Sequence, residues 1–277
     1  MCVTCGCSDD GNVTIANPSN GDLMAVHHHD DNHHHTHTLP DGTVITHSHD
    51  HDSKASEIHA KIHATTISLE QDILSKNNLI AAQNRGWFKG RNILALNLMS
   101  SPGAGKTTLL TRTINDLKNQ LSISVIEGDQ ETLNDAQKIQ ETGCKVVQIN
   151  TGTGCHLDAL MIEKALEELN PPMNSVLMIE NVGNLVCPAL FDLGERLKVV
   201  ILSVTEGEDK PIKYPHMFRA SEVMILTKID LLPYVNFDVE RCIEYARQVN
   251  PQIKIFQVSS QTGVGLNDWY EWLENQL

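Results

Sequence analysis

The segment SSPGAGKTT, at residues 100–108, constrains the fold of this chain more than any other feature. It follows an apolar run, Ile93–Met99, and opens a helical pattern at Lys106–Asn119. A Gly-rich turn that joins a buried strand to a helix is the context that a phosphate-binding loop requires. Backbone N–H groups and the helix N-terminus then supply a positive field for phosphate groups. The predicted phosphate-contacting residues are Gly103, Ala104, Gly105, Lys106, Thr107 and Thr108.

Two side chains of this loop carry the predicted chemistry. Lys106 is expected to reach the β- and γ-phosphates as a catalytic group, and the Thr107 hydroxyl is expected to bind Mg²⁺. Ser100 stands where the first glycine of the standard pattern is usual. The alternative is a Gly-rich strand-to-helix turn without a ligand, which the flanking strand and helix patterns disfavour.

From Asn92 onward, apolar runs alternate with helical patterns. The predicted strands are Ile93–Met99, Ser122–Ile126, Lys145–Ile149, Ser175–Ile179, Val199–Val204, Val223–Leu226 and Lys254–Val258. The predicted helices are Lys106–Asn119, Glu131–Glu141, Leu157–Leu169, Val239–Val249 and Leu266–Asn275. Strands that alternate with helices are typical of a parallel sheet covered on both faces. The predicted fold class is therefore α/β, with a doubly wound, mostly parallel sheet.

The segment TKID, at residues 227–230, is similar to the guanine-recognition motif of GTPases. The Asp230 carboxylate can accept hydrogen bonds from the two ring-edge donors of guanine, which adenine lacks. Lys228 can lay its aliphatic stem on the base, and Thr227 replaces the usual Asn. The residues Ser259, Ser260 and Gln261 resemble the loop that closes over the base. Alone, this motif would be better read as a surface loop; after a buried strand it favours GTP binding.

Two carboxylates follow predicted strands and extend the candidate nucleotide site. Asp129 follows the second strand, and Glu180 follows the fourth. The carboxyl ends of parallel strands line the ligand crevice in such sheets. Both residues are therefore candidate Mg²⁺ ligands together with Thr107, and Asp129 is also a candidate catalytic group that orients the attacking water. The alternative is that either carboxylate caps the segment that follows it.

Residues 1–53 form a predicted tail of a different composition. They contain eight Asp, no Lys or Arg and few large apolar groups, so they are expected to be mostly disordered without metal. Twelve of the 14 histidines lie between His27 and His63. Residues 54–91 are a predicted helical segment, whose pattern is broken by Gly86 and Gly90, and residues 92–277 are the predicted P-loop domain.

Thiolates and imidazoles of the chain form two candidate metal sites and an accessory stretch. Both groups suit Ni²⁺ and Zn²⁺, and the sequence does not choose between the two ions. The tail cluster consists of Cys2, Cys5 and Cys7, and the domain cluster of Cys155, His156 and Cys187. The candidate accessory ligands are His27, His28, His29, His33, His34, His35, His37, His47, His49 and His51. Cys144 and Cys242 are interpreted as packing residues.

Charge and hydropathy restrict the function classes. The net charge of −14 disfavours nucleic-acid binding, which needs clustered Lys and Arg. No apolar run has the length of a membrane span, and no signal peptide is evident. Seven cysteines without an export signal are expected to be reduced thiols, so we predict a cytoplasmic protein.

With these residues together, the chain resembles the HypB family of hydrogenase maturation GTPases. The resemblance covers nearly the whole chain. Its most specific motifs are the opening Cys2-x-x-Cys5-Gly6-Cys7, the phosphate loop, the run ENVGNLVCP at residues 180–188 and the run DKPIKYP at residues 209–215. It implies a GTPase of the SIMIBI class, which forms a homodimer around nucleotide and hydrolyses it slowly.

The resemblance also implies cargo and partners. It implies a tight nickel site at the tail cysteines and a weaker nickel or zinc site at Cys155, His156 and Cys187 in the dimer interface. The implied partners are a HypA-type metallochaperone and the precursor of the [NiFe]-hydrogenase large subunit, to which nickel is delivered. The histidine-rich stretch resembles the nickel stores of some family members.

Three other functions remain open at this level. The first is nickel storage or detoxification, with the GTPase fold secondary. The second is a related maturation GTPase of the urease or cobalamin type, which the opening cysteines and the Val186-Cys187-Pro188 motif disfavour. A signalling GTPase would leave the Cys and His clusters unexplained.

Overall fold

The structure is a computed structural model that describes residues 14–16, 23–25, 34–38, 44–48, 53–129, 134–152 and 154–277, with side chains described from residue 72 onward. The chain divides into two units, Met1–Asp72 and Ile73–Leu277. The tail ligand predictions lie outside the described side chains; they are Cys2, Cys5, Cys7, His27, His28, His29, His33, His34, His35, His37, His47, His49 and His51. They stay predictions, as do the predicted domain boundaries.

The first unit contains two pairs of antiparallel strands. These are β1 (Thr14–Ala16) with β2 (Leu23–Ala25), and β3 (His34–Thr38) with β4 (Val44–Ser48). The helix α1 spans Ser53–Gly90. The predicted break at Gly86 is wrong, because the helix continues through this residue to Gly90. Asn84 and Phe88, which flank Gly86, are both buried within the second unit. This burial outweighs the weak helix propensity of glycine.

The second unit is built on a seven-stranded, fully parallel sheet with the order β11-β10-β9-β5-β8-β6-β7. The strands are β5 (Ile93–Ser100), β6 (Ile123–Asp129), β7 (Lys145–Asn150), β8 (Ser175–Glu180), β9 (Leu197–Ser203), β10 (Val223–Thr227) and β11 (Lys254–Gln257). All seven predicted strands are confirmed to within a few residues at each end. The predicted α/β class with a doubly wound parallel sheet is confirmed.

Helices connect these strands. They are α2 (Lys106–Leu117), α3 (Asn134–Glu141), α4 (Ala159–Leu169), α5 (Cys187–Leu190), α6 (Lys210–Lys213), α7 (Pro215–Arg219), α8 (Val239–Val249) and α9 (Leu266–Glu274), with a 3-10 helix at Ile229–Tyr234. The five predicted helices correspond to α2, α3, α4, α8 and α9. The three shortest helices and the 3-10 helix were not predicted, because four to six residues are too few to show a helical period.

The central strand β5 shows why the sheet forms. Its side chains are buried along its whole length, and they alternate between two cores. Leu94 and Leu96 pack with α2 and α9 on one face, whereas Ile93 and Ala95 pack with α4 and Phe88 on the other. A strand buried on both faces needs a nearly continuous apolar sequence, which this segment has apart from Asn97 and Ser100. The carboxyl ends of the strands therefore meet at one edge, where the loops are free to carry polar groups.

Among the described residues, the structure contains no helix that combines the length and the hydropathy needed to cross a membrane.

Candidate functional site

The phosphate loop lies between β5 and α2, as predicted. Gly103 (φ 74°) and Gly105 (φ 95°) have left-handed backbone conformations, which glycine adopts without the steric cost of a Cβ. Lys106 is 9% exposed, and its Nζ donates a hydrogen bond to Ser100 Oγ at 2.8 Å. Burial lowers the pKa of Lys106. Ser100, which replaces the usual glycine, thus provides the acceptor for this buried ammonium group.

A cleft of 430 Å³ opens beside the loop and is bordered by carboxylates. Thr107 Oγ1 donates a hydrogen bond to Glu180 Oε1 at 2.7 Å, and Asp129 lines the same cleft from the end of β6. Glu180 is 3% exposed, and burial raises its pKa to about 7. The structure therefore brings the three predicted Mg²⁺ ligands to one cleft with Lys106.

Glu127 is a third carboxylate of this cleft that the sequence analysis missed. It is 2% exposed and lies opposite Glu180 in the β6–β8 register. Burial and the charge of Glu180 raise its pKa to about 8. Within the described residues, Glu127 Oε2 and Glu180 Oε2 have no hydrogen-bond partner. The signal was present, because residues two apart on a strand face the same way and Glu127 precedes Asp129 by two.

Helix α3 adds an ion pair to the cleft that was not predicted either. Lys138 Nζ lies 2.7 Å from Asp135 Oδ1, and both residues line the cleft. Three residues apart on a helix, they lie on the same face of α3. Lysine three residues after aspartate is common on exposed helices, so the sequence alone did not single out this pair.

A second cavity, of 280 Å³, contains the residues of the predicted guanine motif. It is lined by Gly105, Thr108, Thr227, Lys228, Asp230, Leu231, Ser260 and Gln261. Thr227 Oγ1 donates to Ala104 O at 2.6 Å, and Lys228 Nζ donates to Gly103 O at 2.7 Å. The motif is thus tied directly to the phosphate loop, and the Thr227 hydroxyl makes one of the two bonds.

The carboxylate that would read the base is held by the last predicted loop. Ser259 Oγ donates to Asp230 Oδ1 at 2.5 Å. Arg112 of helix α2 donates from Nη1 to Ser260 O at 3.0 Å, a contact that the sequence did not predict. The segments at residues 227–230 and 259–261 therefore meet beside the phosphate loop.

Cys155, His156 and Cys187 form one cluster, whose candidate ligand atoms all lie within 4.8 Å of one another. Cys155 Sγ lies 3.0 Å from Cys187 Sγ and 3.6 Å from His156 Nδ1. We call this cluster the thiol triad. Two thiolates and an imidazole are a common ligand set for Zn²⁺ and are also suitable for Ni²⁺. Three ligands leave a fourth position open.

The surroundings of the thiol triad favour a neutral imidazole. The His156 ring stacks on Phe191 with centroids 3.8 Å apart, and burial lowers the pKa of His156. A neutral imidazole nitrogen can bind a cation without first losing a proton. Cys144 and Cys242 lie outside this cluster, and burial raises their pKa values to about 11 and about 12, which fits the predicted packing role.

Two asparagines of α1 join the segments that carry the thiol triad and its stacking partner. Asn77 accepts from Ala159 N at 2.9 Å and donates to Asp192 O at 2.7 Å. Asn84 Nδ2 donates to Ala159 O at 2.9 Å and to Leu193 O at 3.1 Å. Ala159 follows His156 by three residues, and Asp192 and Leu193 follow Phe191. The last turns of α1 are therefore part of the framework of the triad.

Comparisons with known proteins agree with these features. The model of the CobW/HypB/UreG nucleotide-binding domain family matches residues 94–257. The hydrogenase maturation factor HypB of Escherichia coli strain K12 is 50% identical over 100% of this chain and 99% of its own length. The crystal structure of the hydrogenase maturation factor HypB of Archaeoglobus fulgidus has a TM-score of 0.69 and 38% identity, covering 73% of this chain and 98% of its own. The crystal structure of HypB from Helicobacter pylori in complex with nickel has a TM-score of 0.68 and 39% identity, covering 73% of this chain and 94% of its own.

Proposed function

The chain belongs to the HypB family of hydrogenase maturation factors, and on that basis we propose that it is a GTP-hydrolysing nickel metallochaperone. It binds Ni²⁺ at the thiol triad and delivers the ion to the precursor of the [NiFe]-hydrogenase large subunit. A HypA-type metallochaperone takes part in the transfer, which takes place in the cytoplasm. The solved relative from Helicobacter pylori, which is a complex with nickel, supports this choice of cargo.

One observation carries the proposal: the thiol triad and the nucleotide cleft are built from the same segments. Cys187 lies seven residues after Glu180, and the intervening Asn181, Val182 and Gly183 line the cleft. A change in the cleft therefore has a short path to the metal ligands. A signalling GTPase would have no use for this arrangement.

Phosphoryl transfer in the cleft depends on position and charge rather than on a covalent intermediate. Lys106 leaves Ser100 and contacts the β- and γ-phosphates, since a phosphate oxygen is a stronger acceptor for an ammonium group than a hydroxyl. Asp129 orients the attacking water. The glycine backbone of the loop and the N-terminus of α2 hold the remaining phosphate oxygens.

The donor set of the cleft fits Mg²⁺, which prefers hard oxygen ligands. Thr107, Asp129 and Glu180 would hold the ion, and Glu180 Oε2, which has no hydrogen-bond partner among the described residues, supports this assignment. When bound, the ion neutralises charge on the phosphate oxygens. The Asp230 carboxylate, held by Ser259, selects guanine over adenine, so the substrate is GTP.

The Cys and His residues of the tail and the thiol triad bind the metal cargo. Cys2, Cys5 and Cys7 form a nickel site in the tail, and the histidines between His27 and His51 form a reservoir. The thiol triad accepts Ni²⁺ or Zn²⁺. Nucleotide binding brings two copies of the chain together as a homodimer, with the triads at their interface.

Nickel transfer tests this proposal. The full chain is loaded with Ni²⁺ and mixed with a HypA-type acceptor in the presence of Mg²⁺ and either GTP or GDP. We expect the transfer rate to depend on the nucleotide, and Lys106→Ala to lose GTP turnover together with this dependence. Equal transfer with GTP and GDP would exclude the coupling, and normal turnover in Lys106→Ala would exclude the role of the phosphate loop.

Nickel storage is a second candidate function, favoured by the twelve histidines between His27 and His63. A variant that lacks residues 27–51 distinguishes the two. If storage is the main role, cells with this variant lose nickel tolerance and keep hydrogenase maturation. If delivery is the main role, maturation depends on Cys155 and Cys187 while the deletion only lowers the number of bound ions.

A further inference from the structure

We propose that Asn181 is the positioning residue that links the nucleotide cleft to the thiol triad, an inference that rests on the proposed function. The residue directly follows Glu180, a candidate Mg²⁺ ligand, and it also holds the residue that follows His156. No direct contact of Asn181 with a phosphate or with a metal ligand is needed. Its role is to transmit a displacement from one segment to the other.

The side chain of Asn181 holds two backbone amides. It is 1% exposed, and its Oδ1 accepts hydrogen bonds from Leu157 N at 3.2 Å and from Val182 N at 3.0 Å. Leu157 is the neighbour of His156 along the chain. A buried N–H group that loses its acceptor is left without a hydrogen bond, which is unfavourable. Leu157 N therefore follows Asn181 when the end of β8 moves.

Leu157 also touches the other carboxylate segment of the cleft. Its side chain is fully buried, and a Cβ added to Gly128 would lie only 2.8 Å from Leu157 Cδ1. Gly128 stands between Glu127 and Asp129. Leu157 is thus held by the hydrogen bond that its N–H donates to Asn181, directly after β8, and by close packing on the β6 segment, so both sides of the cleft act on one residue.

A chain of buried polar side chains fixes the orientation of Asn181. Its Nδ2 donates to Asn97 Oδ1 at 3.1 Å, and Asn97 Nδ2 donates to Glu195 Oε1 at 3.1 Å. Glu195 Oε2 accepts from Leu193 N at 2.7 Å, two residues from Phe191, the ring that stacks on His156. The amide of Asn181 cannot turn over without breaking this chain. One end of the network is therefore the chain neighbour of His156, and the other end lies two residues from its stacking partner Phe191.

The segment after Asn181 has little freedom on the side of the phosphate loop. A Cβ added to Gly183 would lie 3.0 Å from the backbone of Pro102, so the two backbones are in close contact. When Thr107 exchanges its bond with Glu180 for a cation, the end of β8 moves against this fixed point. The displacement passes through Asn181 to Leu157 and changes the position of His156 relative to Cys187.

The test measures GTP turnover of the full chain at buffered free Ni²⁺, from a chelator-controlled zero to saturation. The ratio of the two limiting rates reports coupling. In the parent chain we expect a ratio of at least about fivefold, within the usual range of allosteric coupling. Cys155→Ser should reduce the ratio to about one, since the triad is lost. Asn181→Ala should also reduce it to within about twofold of one while the nickel–thiolate absorption of the triad persists.

Asn250→Ala is the matched control. Like Asn181, Asn250 makes two side-chain hydrogen bonds to the backbone, here by donating from Nδ2 to Phe218 O at 3.2 Å and to Ser221 O at 2.8 Å, and it contacts neither site. This variant should lose thermal stability and retain the parent ratio. If it loses the ratio as well, general destabilisation explains the effect and the role of Asn181 is rejected.

Two further outcomes separate this inference from the proposed function. If the parent chain shows no dependence on nickel, the proposed coupling fails, and the role of Asn181 fails with it. If the parent shows the dependence and Asn181→Ala keeps it, only the role of Asn181 is rejected. Should Asn181→Ala not fold, Leu157→Val decides: a reduced ratio supports the path through Leu157, and an unchanged ratio overturns it.

Discussion

Glu127 and Glu180 lie opposite each other on neighbouring parallel strands, and both are buried in the same cleft. Lys106 is the buried cation that lines this cleft with them, among the residues that the structure describes. Burial raises the pKa of both carboxyl groups, and the charge of Glu180 raises the pKa of Glu127 further, because one charge disfavours the other. The pair is therefore unfavourable for the empty protein and favourable for a cation, as expected of a site adapted to its ligand.

The first prediction concerns pH. The pKa of Glu127 is raised from 4.5 to about 8, mainly by burial, so its protonated form is favoured by folding. This contribution to stability is present below about pH 4.5 and is lost as the pH rises through 8. In metal-free buffer at pH 8.5, Glu127→Gln should raise Tm by about 4 °C, whereas at pH 5 it should change Tm little.

Glu141→Gln is the control for this prediction, because Glu141 is exposed at the end of α3. It should leave Tm unchanged at both pH values. Equal melting of the Glu127→Gln variant and the parent chain at pH 8.5 would show that Glu127 is ionised in the folded protein at no cost.

The second prediction uses two glycines in opposite environments. Gly128→Ala places a Cβ against Leu157 and should cost about 1–3 kcal/mol by overpacking. Gly86→Ala, inside α1 with no atom within 4 Å of the added Cβ, should stabilise the chain by about 0.5–1 kcal/mol. Chemical denaturation of both variants measures the two changes. A Gly128→Ala variant that is as stable as the parent chain would contradict the packing described around Leu157.

The third prediction concerns the base. Asp230→Asn replaces the carboxylate, which only accepts hydrogen bonds, with an amide that can also donate one to the additional base oxygen of XTP. Selectivity for GTP over XTP should therefore fall by at least about 100-fold. Ser259→Ala removes the hydrogen bond that holds Asp230, and should weaken GTP binding by about three- to tenfold without changing the preferred base. Competition binding with both nucleotides measures this. Unchanged selectivity in Asp230→Asn would remove the residue from base recognition.

The fourth prediction concerns the start of the folded domain. A chain that begins at residue 73 keeps Asn77, Asn84 and Phe88, whereas a chain that begins at residue 92 loses all three. We expect the longer chain to bind Ni²⁺ at the thiol triad like the full chain and the shorter one to be less stable by several kcal/mol, about 3–5 for Phe88 alone.

A pair of full-length variants isolates the hydrogen bonds from the length of the chain. Asn77→Ala should weaken nickel binding at the triad, and Asn78→Ala, at an exposed neighbouring position, should not. Equal stability of the two shortened chains, with parent-like nickel binding by Asn77→Ala, would show that α1 does not support the triad.

The fold could be predicted from the sequence because its main signals are local. The apolar runs of β5 and β8 and the Gly-rich loop before Lys106 can each be recognised within ten residues. The right-handed crossover rule for parallel strands then restricts how these elements connect. The sequence did not predict helix α5, and it wrongly predicted a break at Gly86. Tertiary packing decides both features, and the residues that pack there are distant in sequence.

The candidate site was predictable only where chemistry and motif coincide. Cys155, His156 and Cys187 were grouped by residue type, and the structure brings them together. Asn181 and Glu127 were passed over because an Asn after a strand and a Glu before a Gly have no distinctive spacing. The role of Asn181 depends on its hydrogen bond with Leu157 N, and that of Glu127 on its register with Glu180. Neither relationship can be recognised from the sequence.

Calorimetric titration of Ni²⁺ tests the central claim, that the nucleotide controls the metal site. It is carried out on the full chain and on the chain lacking residues 1–53, each with and without Mg²⁺ and a non-hydrolysable GTP analogue. In both chains, the nucleotide should change the nickel Kd of the thiol triad by at least about fivefold, and Cys155→Ser should remove that phase. Identical nickel isotherms with and without bound nucleotide, in both chains, would contradict the account.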